Sequence, residues 1–326
     1  MASHIGCDVS KKKFDAALII APGKYKSKVF DNDRRGFQAF LAWIDAHAAE
    51  GRAQAHVCME STGQYHEQLA LHLHDHGLKV SIVNPLLVKR FMEVEGLRNK
   101  TDGGDAKAIA RFCEKQHPLA WEAPSQSVRS LQALVARLDT LLELRQGELN
   151  RRDVAHDTVK PFIEQVIANL DGSIQAVKAA IASTIDDDPD LKQRQDLLQS
   201  IPGLGERTIP QLLAYIGRPE RFKSVKALIA FASLTPAIKQ SGTSLNKTKG
   251  THPMGHRTLK RALYFPAMVA ARHNPVIAAF WARLKAQNKP GKVIVVACMH
   301  KLLAIAYGVL KSKRPFDPTM LAAQTA

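Results

Sequence analysis

The chain has 326 residues, of which 45% are hydrophobic, so it is long and apolar enough for about two domains with packed cores, and a disordered chain is excluded. Its formal net charge is +16, but residues 201–326 hold 20 Lys and Arg against 3 Asp and Glu, a balance of +17, while residues 1–200 balance to −1. A merely solubilising surface mixes both signs, so the C-terminal part is expected to bind nucleic acid.

Strand and helix patterns alternate in the N-terminal third. HIGCDVS at 4–10 and FDAALIIA at 14–21 flank a KKK turn, which predicts a β-hairpin. AQAHVCME at 53–60 reads as a strand, STGQYHEQLALHLHDHG at 61–77 as a helix, and LKVSIVNP at 78–85 as another strand. This alternation predicts an α/β sheet with helical crossovers.

Four carboxylates lie at the ends of these predicted elements. Asp8 and Glu60 close two strands, and Asp102 and Asp105 share one face of the helix that begins in NKTDGGDAKAIARF, residues 99–112. Acidic residues at a helix start are explained by capping alone. Four converging carboxylates would instead repel one another unless they bound Mg²⁺ or Mn²⁺, and a pair of such ions stabilises phosphoryl displacement. Periodicity leaves both explanations open.

Three histidines in the run HLHDH could suggest zinc. His72 and His76 share a helix face with His74 between them, but no HExxH glutamate or third ligand accompanies them. We therefore interpret the run as a solvated helix end.

A helical spacer follows, in two blocks separated by Pro161. Apolar residues recur at three-four spacing: Val128, Leu131, Val135, Leu138, Leu142 and Leu149 in the first block, and Ile163, Ile167, Leu170, Ile174, Val177 and Ile181 in the second. An antiparallel hairpin packed on its own domain and a subunit-pairing coiled coil both fit this pattern. The acidic run IDDDPD at 185–190 marks a linker.

The segment SIPGLGERTIPQLLAYIG, residues 200–217, resembles a helix-hairpin-helix turn. Gly203 and Gly205 make a bend whose N–H groups, with the next helix N-terminus, can bind a phosphate. A plain interhelical turn is the alternative, and Pro210 departs from a clean helix.

A Ser/Thr/Gly/Lys loop and a basic helix occupy residues 234–265. A serine hydroxyl is a poor nucleophile without a base or metal, so no serine here stands out by itself. The residues that could neutralise phosphates here are Lys247, Lys249, His256, Arg257, Lys260 and Arg261.

The longest apolar run, residues 293–310, carries His300 and Lys301 at its middle and is interpreted as a buried helix, not a membrane span. No leader pattern opens the chain, and its four cysteines form no CxxC pair. We expect a cytoplasmic protein without membrane association.

The motifs together resemble one family. IGCDVSKKKFD, CMESTGQY, VNPLLVKRF, GLRNKTDGGDA, SIPGLGERT, LTPAIKQSGTS and ALYFPAMVA, in this order along the chain, are similar to the DEDD transposases of the insertion-sequence 110 family, which are RNA-guided recombinases. The resemblance implies a RuvC-like (RNase H-like) N-terminal domain. Its metal-binding catalytic quartet corresponds to Asp8, Glu60, Asp102 and Asp105.

The resemblance also implies a nucleophile and partners. Ser241 takes the place of the family's nucleophilic serine, with Thr243 as a departure from the usual SGSS-like pattern and Ser244 following it. The family uses a structured guide RNA that pairs with donor and target DNA, and its members act as dimers that pair into tetramers.

The motifs and the resemblance together predict a RuvC-like domain at 1–122, a coiled-coil spacer at 123–184 and a basic, mainly helical domain at 185–326. Two other functions remain open: a metal-dependent junction nuclease in which water attacks, and a non-catalytic nucleic-acid-binding protein.

Overall fold

A computed structural model describes residues 3–48, 50–61, 63–96, 102–241 and 245–319, while the side chains of 102–104 and 238–249 lie outside the description. The chain divides into two compact units, Met1–Ala123 and Pro124–Ala326.

The first unit is built on a mixed five-stranded sheet. Its strands are β1 Ser3–Val9, β2 Lys13–Ala21, β3 Lys24–Asp31, β4 Ala55–Glu60 and β5 Lys79–Val83. They lie in the order β3-β2-β1-β4-β5, with β1, β2 and β3 antiparallel and β1, β4 and β5 parallel. The prediction of an α/β sheet is confirmed, although β3 was not anticipated.

Helices cover both faces of this sheet: α1 Arg34–His47, α2 Glu67–Asp75, α3 Pro85–Val94 and α4 Asp102–Gln116. α1 and α2 enclose a core with β1 and β2 in which Phe14 packs edge-on to Phe40, 5.2 Å between ring centroids. On the opposite face, α3 and α4 pack with Cys58 and Val83. α2 begins six residues later than predicted, because Gly63 at φ +54° and the turn after it precede the helix.

The second unit opens with a long helical hairpin, α5 Gln126–Val154 and α6 Lys160–Asp186. Arg145 of α5 pairs with Asp171 of α6 at 2.5 Å, and Ser127 at the start of α5 bonds with Asp188, two residues after α6 ends, so the helices run antiparallel. Ile167, Ile174 and Ile181, seven residues apart, are buried along one side of α6. The intramolecular hairpin is therefore observed, whereas pairing of this hairpin between subunits stays a prediction.

The remaining elements are mostly helical: α7 Pro189–Gln199, α8 Thr208–Ile216, α9 Val225–Phe231, β6 Pro236–Ser241, β7 Leu245–Thr251, α10 Arg257–Ala262, α11 Tyr264–His273, α12 Pro275–Ala286 and α13 Gly291–Ser312. One core joins Leu131 and Ile185 of the hairpin base to Leu212 and Leu302. The acidic run predicted as a linker joins α6 closely to α7, and Asp188 caps α7.

α13 contains the long apolar run. By length and composition it could cross a membrane, but 61% of its most apolar window is buried inside the second unit, and Cys298 and Leu302 are fully enclosed. The prediction of a buried helix is confirmed.

Candidate active site

Asp8 and Glu60 lie beside each other at the carboxyl ends of two parallel strands. The register pairs Gly6 of β1 with Cys58 of β4 and Cys7 with Met59, so Asp8 and Glu60 are the next residues on each strand. Side chains alternate along a strand, which places both carboxylates on the face of Gly6 and Cys58. Both carboxyl groups are half-buried and make interactions within the protein.

α4 lies directly against this face. A Cβ atom built on Gly6 would stand 2.1 Å from the carbonyl oxygen of Ala106 and 2.2 Å from the amide nitrogen of Ala110. At the far end of the helix, the ring of His117 lies 5.8 Å from that of His4, at the start of β1. α4 therefore runs antiparallel to β1, and its N-terminus approaches the end that carries Asp8.

This direction brings Asp102 and Asp105 toward the carboxyl ends of β1 and β4. Asp105 is half-buried, and Asp102 is the first residue of α4, with a side chain outside the described residues. The position suits a capping residue and a metal ligand alike, because the helix N-terminus favours a carboxylate. The geometry thus leaves the capping explanation in place beside the catalytic one.

The residues at this corner fit a hard divalent cation by their chemistry. Like charges directly beside each other destabilise a sheet unless a cation neutralises them, and carboxylate oxygens are the preferred ligands of Mg²⁺ and Mn²⁺. Among the described side chains, no three His, Cys, Asp or Glu come together closely enough to hold a metal. The quartet includes Asp102, whose side chain is not part of that description.

A fifth carboxylate lies at the same place and was missed from sequence. Asp15 of β2 is the direct antiparallel partner of Asp8, so its side chain projects on the same face. It is 19% exposed, and Lys13 lies 4.0 Å away. The only signal that could have identified it is the β1–β2 turn, which sets the register.

Buried thiols lie close to the carboxylates. Burial raises the pKa of Cys7 well above its usual value, and Cys58 and Asp8 raise it further. A hydrogen bond with Cys58 and then burial raise the pKa of Cys113, whose Sγ donates to the carbonyl oxygen of His56 at 3.7 Å. These thiols stay protonated at neutral pH and so do not compete with oxygen ligands.

Ser241 is the last residue of β6, in the β6–β7 hairpin. Its backbone pairs with Leu245, and residues 242–244, including Thr243 and Ser244, lie outside the described residues, as do the side chains of Ser241, Lys247 and Lys249.

Four contacts hold the base of the β6–β7 hairpin. Ser233 Oγ donates to the carbonyl oxygen of His252 at 2.6 Å, and Lys260 Nζ donates to Thr251 Oγ1. Gly255 has φ +128° and packs so closely that a Cβ atom would stand 2.7 Å from the Phe231 carbonyl oxygen. The ring of His256 lies 4.3 Å from that of Tyr215, and burial lowers the pKa of His256.

The turn between α7 and α8 contains the predicted phosphate contact. Gly203 has φ +105°, and a Cβ atom there would stand 2.5 Å from the Cβ of Ala270, so Gly203 allows close packing against α11. Gly205 is exposed, and no acceptor among the described residues is assigned to its N–H. Pro210 lies in the first turn of α8, where the missing N–H breaks no helical bond.

The three predicted cations of α10 differ in their surroundings. Lys260 is bound to Thr251, and Arg261 pairs with Glu143 at 2.9 Å. Arg257 is exposed and has no ion pair within the described part of the chain.

The rings of His72 and His76 in the HLHDH run lie 4.3 Å apart between centroids and are tilted by 38°. His76 Nδ1 bonds with the His72 carbonyl oxygen at 2.7 Å.

Comparison with known proteins gives two family matches that together span most of the chain. Residues 5–161 match a model described as Transposase and named for the DEDD transposases of IS110, and residues 195–282 match the Transposase IS116/IS110/IS902 family. The chain is 35% identical to the Pilin gene-inverting protein of Moraxella bovis over 97% of this chain and 98% of that protein, and 34% identical to that of Moraxella lacunata over the same shares. It is 26% identical to an insertion element IS110 protein of Streptomyces coelicolor, over 51% of this chain and 40% of that protein.

Proposed function

The chain belongs to the IS110 family of transposases, and from that premise we propose that it cuts and rejoins DNA at the carboxylates of Asp8, Glu60, Asp102 and Asp105 in a RuvC-like domain. The observation that carries this proposal is the placement of Asp8 and Glu60 side by side while α4 lies against Gly6. Acidic residues from three separate segments, β1, β4 and α4, thereby lie toward the same end of the sheet.

These carboxylates are suited to Mg²⁺ or Mn²⁺. Such an ion, when bound, stabilises charge on the phosphodiester oxygens and favours the ionised form of an attacking hydroxyl. The chain contributes rigid placement: Asp8 and Glu60 are fixed by the β1–β4 ladder, and Asp105 by the contact between α4 and Gly6. Rigid placement matters because misplacing a reacting group by 1 Å costs about 100-fold in rate.

The attacking group in this proposal is the hydroxyl of Ser241. Its oxygen forms a bond to phosphorus as the bond to the leaving sugar oxygen breaks, and that oxygen takes up a proton. The phosphoserine ester conserves the bond energy, so a new DNA hydroxyl can displace the serine without ATP. The anchored base of the β6–β7 hairpin supports this role, because it fixes the direction in which the hairpin projects.

A covalent adduct decides between serine and water as the nucleophile. The protein is incubated with Mg²⁺ and a nicked or mispaired duplex that traps the intermediate, and DNA-linked peptides are identified by mass spectrometry. We expect DNA on the peptide that contains Ser241. Ser241→Ala should abolish the adduct and recombination but keep DNA binding, while Ser244→Ala, three residues later in the sequence, is the matched control that keeps the adduct. Cleavage by Ser241→Ala with free DNA ends would instead identify a junction nuclease.

DNA is held, in this proposal, mainly by the basic C-terminal part. The supporting features are its balance of +17, the exposed Arg257 and the N–H of Gly205, which has no assigned acceptor among the described residues. Lys247 and Lys249 on β7 and Lys260 and Arg261 on α10 are nearby in sequence. Binding through phosphates releases counterions, so the affinity of the full chain for duplex DNA should fall steeply with salt. An affinity that does not change with salt contradicts this part of the proposal.

The choice of DNA sequence is assigned to a guide RNA that pairs with donor and target DNA. This assignment rests on the family and would make the protein a reader of nucleic-acid backbone more than of base edges. Sequencing the RNA that copurifies with the protein from its host tests it. One discrete structured RNA is the expected result, and random fragments would contradict it.

A second copy of the chain is the proposed partner of the α5–α6 hairpin. Large apolar side chains are exposed near its tip: Val154 at 87%, Phe162 at 69%, and Val159 and Val166 at 45% each. Burying them in a homodimer that pairs into a tetramer would remove this apolar surface from water. Light scattering across a concentration series should give the dimer mass, and Phe162→Asp should shift the mass toward the monomer.

Inversion of a DNA segment is the second candidate reaction. The likeness to the pilin gene-inverting proteins of Moraxella extends over nearly the whole of both chains, so the same cutting and rejoining could reverse a segment instead of moving one. A plasmid with two candidate sites in inverted orientation, scored by PCR across each junction, distinguishes inversion from insertion. Both reactions take place on DNA, in the cytoplasm.

A further inference from the structure

The outer strand β3 carries three lysines at alternate positions. Lys24, Lys26 and Lys28, here called the edge ladder, are exposed, and β3 is the last strand on its side of the sheet. Alternate residues of a strand project on one face, so the three ammonium groups form a row. Successive lysines stand about 6.7 Å apart along the strand, a step comparable with that between neighbouring phosphates of one nucleic-acid strand.

The charges of the edge ladder are not neutralised by neighbours. Their partners across β2 are apolar: Ala16 opposite Lys28, Leu18 opposite Lys26 and Ala21 opposite Lys24. None of the three lysines forms an ion pair with another residue in the described part of the chain. The Lys28 ammonium lies 5.3 Å from the centroid of the Phe30 ring, a contact that leaves its charge in place.

The edge ladder begins level with the carboxylates. Val29 pairs with Asp15, and Asp15 pairs with Asp8, so the three residues form one row across the sheet. Lys28 itself pairs with Ala16, and Ala16 pairs with Cys7, so the ladder lysines project on the face opposite to the carboxylates. Two strand spacings, about 10 Å, separate β3 from the strand of Asp8. From there the ladder runs along the edge of the sheet, away from the carboxylates of Asp8, Asp15 and Glu60, here called the carboxylate corner.

The opposite face of the same edge also carries a cation. Tyr25 projects on the face of Asp15 and Val29, and Lys107 of α4 lies 6.0 Å from the centroid of its ring. Lys11 and Lys12, in the turn between β1 and β2, are exposed beside the carboxylate end of the sheet. The edge is therefore positive from Lys24 to Lys28, whereas Asp31 at the end of β3 is the register partner of Lys13, and residues 1–200 as a whole are not basic.

We propose that the edge ladder binds the phosphate backbone of the DNA flanking the phosphodiester that is cut. The proposal rests on the function proposed above, because only a nucleic-acid strand at the carboxylates would pass this edge. It assigns a DNA-binding surface to the N-terminal unit, in addition to the basic C-terminal part. Lysines on an outer strand also prevent edge-to-edge aggregation, and this role predicts different results.

Lysine protection in the unmodified protein is the first test. The full chain is acetylated with a lysine-reactive ester, with and without random-sequence duplex DNA, and the modified positions are quantified by mass spectrometry. We expect protection at Lys24, Lys26 and Lys28. Protection of lysines in residues 201–326 alone would overturn the edge-ladder proposal while the proposed function stands, and protection nowhere would contradict both.

Charge removal is the second test. The variant with Lys24, Lys26 and Lys28 changed to Gln should lower the slope of log affinity against log salt by about 2.7, because each phosphate contact contributes about 0.9. A control variant with Lys79, Lys115 and Lys178 changed to Gln loses the same charge from scattered exposed positions and should keep nearly the full slope. Arginine at the three ladder positions should restore it.

The remaining outcomes each exclude an alternative. A ladder variant that aggregates but binds DNA with the unmodified slope would show that the lysines only protect the edge. A larger loss for a structured RNA than for duplex DNA would assign the edge ladder to RNA and overturn the DNA proposal.

Discussion

Replacing Gly6 by Ala tests whether the close contact between α4 and β1 is needed for the stability of the first unit and for recombination. The added Cβ would stand 2.1 Å from the Ala106 carbonyl oxygen, whereas real Cβ atoms essentially never approach closer than 3.0 Å. The helix must therefore retreat by about 0.9 Å. Because the obstructing atoms belong to backbone on both sides, no side chain can rotate away, and we expect destabilisation of about 3 kcal/mol, the upper end for overpacking.

The same displacement moves Asp105 away from Asp8 and Glu60. A shift near 1 Å at a reacting centre costs about 100-fold in rate, so recombination by the folded Gly6→Ala protein should fall by about that factor. The measurements are urea unfolding monitored by circular dichroism, and recombination in a plasmid assay under conditions where the variant is fully folded.

A matched glycine provides the control. Gly172 lies inside α6, where a Cβ atom would meet nothing within 4 Å. Gly172→Ala should therefore stabilise the chain by about 0.5–1 kcal/mol through helix propensity. If Gly6→Ala unfolds at the same urea concentration as the unmodified chain and keeps its activity, α4 does not rest on β1 and the reasoning fails.

Asp102→Asn and Asp105→Asn should each abolish recombination while leaving the unfolding midpoint unchanged or higher, because like charges are removed; loss of folding with normal activity per folded molecule would favour the capping explanation. Asp15→Asn should weaken recombination at limiting Mg²⁺ more than at saturating Mg²⁺, and equal rates at both would separate Asp15 from metal binding. Burial lowers the pKa of His56 to about 4, from 6.5 in the unfolded chain, with Lys79 adding to the shift. The unfolded state binds the proton first, so stability should fall by up to about 3 kcal/mol as pH drops from 6.5 to 4, and His56→Gln should remove that part of the pH dependence.

Strands with an apolar inner face were predictable from sequence. β1, β4 and β5 lie within one or two residues of the predicted limits, because their apolar residues leave no competing helix pattern. β3 was not predictable, because Lys24, Lys26 and Lys28 occupy its alternate positions. An outer strand that is held by backbone hydrogen bonds to β2 needs few apolar residues. An outer strand that carries charged residues lacks the apolar alternation from which strands are predicted.

The carboxylate corner was predictable only in part. That Asp8 and Glu60 would meet followed from parallel strands ending at one edge of the sheet. The place of Asp15 depends on the register of an antiparallel pair, and the need for Gly6 depends on a helix some hundred residues later in the chain. The strand pattern alone fixes neither position: Asp15 requires the exact register of the β1–β2 hairpin, which the turn sets, and Gly6 requires a contact between distant segments.

The antiparallel pairing of α5 and α6 has a consequence for how the length of the chain can vary. The residue numbers of Arg145 and Asp171 add up to nearly the same value as those of Ser127 and Asp188, which lies just after α6, so each position on α5 is matched to one on α6. Removing seven residues from both helices would keep every remaining pair in register and shorten the hairpin by about 10 Å, while Leu131 and Ile185 at its base keep their neighbours. Removing seven from one helix alone would misalign all pairs beyond the cut. Insertions and deletions among natural variants of this chain should therefore occur in the two helices together, in steps of whole heptads.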